Sequence, residues 1–94
     1  MSTISTDNED LECRFANERL EYLNALIIQA GADIQDLVAR MNNLRKQKPH
    51  TQKEFTEQQN ELAFTERQIN ETQRRVNVLQ LKAGYLARAL GITT

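Results

Sequence analysis

The sequence predicts an all-α protein: two long helices forming an antiparallel coiled-coil hairpin that associates into a helical bundle. Three observations predict it. Cys13, Ala16, Leu20, Leu23, Ile27, Ala30, Ile34, Leu37, Met41 and Leu44 follow one another at alternating steps of three and four residues. That is a heptad seam without a slip. Phe55, Leu62, Ile69, Val76, Ala83 and Leu90 recur every seven residues, and Gln58, Thr65, Thr72, Leu79 and Leu86 stand three after the first five of them. Between the two series lies the single proline, Pro49.

Residues 1–5 are expected to be a disordered start, as chain ends often are. From residue 6 to 94 a single helical-hairpin domain is expected: helix 6–46, loop 47–51, helix 52–90. Thr6 is the expected N-cap, with Glu9 completing a capping box and Asp7, Glu9 and Asp10 favourable near the positive helix end. Gly31 lies inside the first helix and costs up to about 1 kcal/mol relative to Ala. A close helix approach beside Ala30 would explain it, and so would chance.

Pro49 removes an amide donor and turns Lys48 away from helical geometry. Thr51-Gln52-Lys53-Glu54 reads as a second capping box. Gly91 is the expected residue just past the second helix, with Ile92 folding back on Leu86 or Ala87. So short a loop favours a hairpin over one bent rod. In an antiparallel pair, facing residues share one sum of their numbers. Leu44 with Phe55, Leu37 with Leu62, Ala30 with Ile69, Leu23 with Val76 and Ala16 with Ala83 all do. Of the pairs flanking this seam, Arg40 with Glu61 is complementary and Arg19 with Lys82 is not.

One seam does not account for every apolar residue. Leu11, Phe15, Tyr22 and Leu26 are placed on the outer side of the first helix. Phe64, Val78, Leu81 and Tyr85 are placed on the outer side of the second. Leu11, Phe15, Tyr22, Leu26, Val78, Leu81 and Tyr85 are therefore the expected partner or oligomer interface. A two-helix core is thin, and long helices are stabilised mostly by packing, so the chain is expected to bind itself, another helical protein, or both.

Composition narrows the function classes. The chain has 94 residues, a net charge of −1, three Gly, one Cys and no Trp. Near-neutral charge gives no global pull toward nucleic acid or an anionic membrane. A lone cysteine forms no internal disulfide, so a reducing compartment is the easier reading. The first ten residues, MSTISTDNED, do not read as a signal peptide. The apolar clusters are too short to span a bilayer, so a cytoplasmic location without membrane attachment is expected.

Chemistry is expected to be absent: no enzyme, no catalytic or metal-binding residues, no cofactor. His50 is the only histidine and falls in the loop, far from Cys13 at the hairpin's other end. Glu9, Asp10 and Glu12 are explained by the helix dipole without a metal. No phosphate loop, zinc spacing or nucleophile elbow occurs. Nucleic acid is the alternative partner. Arg40, Arg45, Lys46, Lys48 and Lys53 form a basic tip with no acid among residues 40–53. The tip lacks aromatics for base stacking, and bases at a helix C-terminus also complement its dipole.

The stretch Val78-Leu79-Gln80-Leu81-Lys82-Ala83-Gly84-Tyr85-Leu86-Ala87-Arg88-Ala89-Leu90-Gly91-Ile92-Thr93, about a sixth of the chain, resembles part of the small tail-fibre assembly chaperone of T-even bacteriophages. The likeness is a leucine-rich helix with a Leu-Gly-Ile ending. This chain departs in carrying a complete helix before the loop and in ending where that family continues. The resemblance implies an oligomeric, helical, non-enzymatic factor that helps fibre proteins fold and trimerise without entering the finished virion. It would place the protein in a host cytoplasm. The function expected is thus a protein–protein interaction module: a small coiled-coil assembly factor, chaperone or structural subunit.

Overall fold

A computed structural model describes the backbone of residues 2–91 and the side chains of residues 11–91. It consists of two helices and a short connection, a helical hairpin without strands among the described residues. Helix α1 spans Ser2–Lys46 and helix α2 spans Gln52–Ala89.

Helix α1 begins four residues ahead of the expected start at Thr6. Nothing in Ser2–Ser5 breaks a helix, since neither Pro nor Gly occurs there. Thr6 therefore lies within α1 and is not its cap, and no acidic residue occupies the first turn. The side chains of the expected box at Thr6 and Glu9 lie outside the described ones, as does Met1.

Helix α2 starts on its own cap. The Glu54 amide donates to Thr51 Oγ1 at 3.1 Å, and the Phe55 amide to the Thr51 carbonyl at 3.0 Å. The Glu54 carboxylate reaches back one residue further than a capping box requires. It accepts from the His50 amide at 2.8 Å. At the other end, Gly91 has φ 76° and donates its amide to the Arg88 carbonyl at 3.0 Å. That is one of the two bonds of a Schellman ending. The second would involve Ile92, outside the described residues.

Contacts divide the chain into two units. The terminal unit comprises Met1–Ile28 with Asn77–Thr94, and the loop unit comprises Gln29–Val76. In the terminal unit Leu23 and Ala83 are buried, with Ala16, Leu20, Ile27, Leu79, Leu86 and Leu90 half-buried. In the loop unit Ala30, Leu44, Thr65 and Val76 are buried, with Ile34, Leu37, Met41, Gln58, Leu62, Ile69 and Thr72 half-buried. These are the heptad residues.

Two heptad members depart from the seam: Cys13 is exposed, and Phe55 is 46 % exposed. Each is the first member of its series; the last members, Leu44 and Leu90, are buried and half-buried. Gly31 shows no close approach: a Cβ built there meets nothing within 4 Å.

The polar seam residues are satisfied locally. Thr65 and Thr72 donate their hydroxyls to the Glu61 and Gln68 carbonyls of their own helix, each at 2.8 Å. Gln58 crosses the hairpin instead. Its Nε2 donates to the carbonyls of Leu44 at 2.6 Å and Gln47 at 2.9 Å. A seam glutamine thus adds a second donor to the Leu44 carbonyl, which also accepts the Gln47 amide at 3.2 Å, and serves the Gln47 carbonyl just beyond α1. Among the described residues no buried side-chain polar atom lacks a partner.

Candidate functional site

The heptad explains which side chains are left over. Phe15 and Tyr22 are seven apart on α1, and Val78 and Tyr85 are seven apart on α2. Each pair lies outside its helix's seam, so the seam leaves all four uncovered. Phe15 is 64 % exposed, Tyr22 54 %, Val78 49 % and Tyr85 67 %. Leu11 and Leu81 are exposed as well. Leu26 is different: it is half-buried, three residues after Leu23 and four before Ala30, a spacing that puts it beside the seam. It contributes less free surface than its outer placement predicted.

The structure joins both helices of the terminal unit into one face. Leu23 and Leu86 of the seam form the floor of a shallow hollow, with Tyr85 and Ala89 beside them. Arg19 from α1 and Lys82 from α2 stand on its rim, and no carboxylate lines it. The Arg19 guanidinium lies 5.5 Å from the centre of the Tyr22 ring, within cation–π range. Further along, Glu12, Cys13, Ala16, Ala89 and Leu90 line a second hollow. Ala89 belongs to both, so they are neighbours on one surface. Leu81 borders another hollow, with Gln80, Gly84 and Arg88, which Tyr85 also lines.

The pairing of Arg19 with Lys82 was legible as a flanking mismatch in the heptad. Its consequence, two cations over an apolar floor, required the fold. Ile28 escaped the sequence pattern: at 74 % it is the most exposed of the large hydrophobic residues described, and it follows the seam residue Ile27 directly.

The loop unit carries the basic tip. Arg40, Arg45, Lys46, Lys48 and Lys53 are all exposed. Arg45 and Lys46 occupy the last turn of α1, where cations complement the dipole. The tip is not uniformly basic in space. Lys48 shares a hollow with Glu54, Glu57 and Glu61, which the fold brings back beside the loop. His50 and Cys13 are both exposed, and among the described residues no cluster of ligating side chains could hold a metal ion. No described helix is long and apolar enough to cross a membrane. Compared with protein-family models, curated proteins and solved structures, the chain finds no match.

Proposed function

We propose that this protein is a non-enzymatic protein–protein interaction module, an antiparallel coiled-coil hairpin that holds another helix on the outer face of its terminal unit. The observation that carries this reading is the exposure of three aromatic rings, Phe15, Tyr22 and Tyr85, together with Val78, all left uncovered when one seam is satisfied. A clustered set of exposed large apolar side chains favours docking of an amphipathic helix. Aromatic residues are enriched among those that dominate binding energy. The work that follows is that of a small assembly factor, chaperone or structural subunit acting in the cytoplasm. The resemblance of residues 78–93 to the phage tail-fibre chaperone makes fibre assembly the sharpest version.

The test is site-directed photocrosslinking in the source cell, from position 85 and, separately, from position 53. Protein adducts from position 85 and none from position 53 would support the reading. An absence of protein adducts at position 85 would sink it.

A second reading, nucleic-acid binding by the tip, is favoured by the exposure of Arg40, Arg45, Lys46, Lys48 and Lys53. It is weakened by Glu54, Glu57 and Glu61 beside Lys48. It predicts nucleic-acid adducts from position 53 and a salt-dependent mobility shift of RNA or DNA. No shift at low salt would end it.

A further inference from the structure

We infer that the occupant of the terminal unit's face is a second copy of this chain, paired so that α1 of one copy runs antiparallel to α1 of the other about a point near Phe15 and Ala16. The inference rests on the interaction-module reading and names its partner.

Exposed apolar surface is the first argument. Of the large hydrophobic side chains that remain exposed, Leu11, Phe15, Tyr22, Ile28, Val78, Leu81 and Tyr85 belong to the terminal unit, against Val38, Phe55 and Phe64 in the loop unit. Phe15, Tyr22, Val78 and Tyr85 repeat at the seven-residue spacing that a second helical hairpin of the same period can match.

Charge complementarity is the second argument, and it selects the orientation. Glu12 and Arg19 are seven apart on α1 and line the two neighbouring hollows of this face. Laying two copies parallel and face to face would set Arg19 against Arg19. Antiparallel pairing about Phe15 and Ala16 sets Glu12 of each copy opposite Arg19 of the other. It also sets the two Phe15 rings side by side at the centre. A surface whose sign reverses along its length is self-complementary under a two-fold axis, the commonest symmetry of oligomers. The product is a four-helix arrangement built from two terminal units.

The test is sedimentation equilibrium of the full chain across concentration, on four proteins: the parent, Glu12→Arg, Arg19→Glu, and the double charge swap. Helical circular dichroism is recorded for each to confirm folding; all the altered side chains are exposed. The parent is expected to dimerise. Each single reversal puts like charges together twice per dimer and should weaken association about tenfold or more. The double swap should return it to within about threefold of the parent, because it restores both pairs.

A parent that stays monomeric up to about 1 mM overturns the second-copy inference. A dimer in which the double swap is as weak as the single reversals overturns the orientation. The interaction-module reading has a separate fate. Heterologous protein adducts from position 85, with a monomeric purified chain, would leave it standing while removing the second copy.

Discussion

Thr65 is the most enclosed side chain described, 1 % exposed, and it is polar. Its place in the heptad marks it as a seam residue, and polar seam residues often select register by pairing with a partner helix. The hydroxyl instead bonds the Glu61 carbonyl one turn back, which leaves the γ-methyl as the part available for packing. Period cannot reveal such a bond, because it depends on a rotamer. Because the Glu61 carbonyl keeps its helical amide donor when the hydroxyl is lost, Thr65→Val should change unfolding free energy by no more than about 1 kcal/mol and leave solution mass unchanged, as urea titration and sedimentation would show. Thr65→Asn should cost about 2 kcal/mol or more, since a longer amide in that space lacks a ready partner. The glycines divide by backbone and not by type. Gly31 and Gly84 are helical, with open space where a Cβ would go. Each Gly→Ala change there should stabilise by about 0.5–1 kcal/mol, read as a higher urea midpoint.

At the level of the elements, the ends decide more than the middles. Gly91 has φ 76°, a left-handed conformation that costs an L-residue about 1–2 kcal/mol. Gly91→Ala should therefore destabilise, opposite in sign to the changes at positions 31 and 84. Thermal melts of the three variants side by side would check the reversal. Both this ending and the Thr51 cap were legible in the sequence, because capping uses residue types at fixed short offsets. The end of α1 was not. The Leu44 carbonyl in its last turn and the Gln47 carbonyl just past it accept from Gln58, on the other side of the loop. Heptad spacing marks Gln58 as a polar core residue and cannot tell which acceptor it finds. Gln58→Ala removes both bonds and should cost about 1–2 kcal/mol in chemical denaturation. Thr51→Ala should cost about 1 kcal/mol by loss of the hydroxyl that receives the Glu54 amide.

For the molecule as a whole, a single seam is a small core. The apolar side chains that are buried among the described residues are Leu23, Ala30, Leu44, Val76 and Ala83, and two of these are alanines. Alanine brings helices close and buries little area. Stability drawn partly from a second copy depends on concentration by mass action. A tenfold dilution should therefore lower Tm for the parent and leave it unchanged for Arg19→Glu once that variant is monomeric. Differential scanning calorimetry at two concentrations distinguishes the outcomes. Equal Tm values for the parent at both would remove self-association as a source of stability.

Sequence by itself determined the helices, the break at Pro49, the caps at Thr51 and Gly91, and nearly all the seam. Periodicity and capping are local codes, and each residue type reports its role within a few positions of itself. Tertiary structure decided what happens where distant residues meet. It released Cys13 and Phe55 from the seam ends, drew Leu26 against the seam edge, and turned Gln58 onto the end of α1. It set Arg19 and Lys82 over one apolar floor, and it returned Glu54, Glu57 and Glu61 to the basic tip. The physical reason is the same in each case. Heptad spacing states which side of a helix is wanted inside, whereas the neighbours of every other side depend on how the chain doubles back.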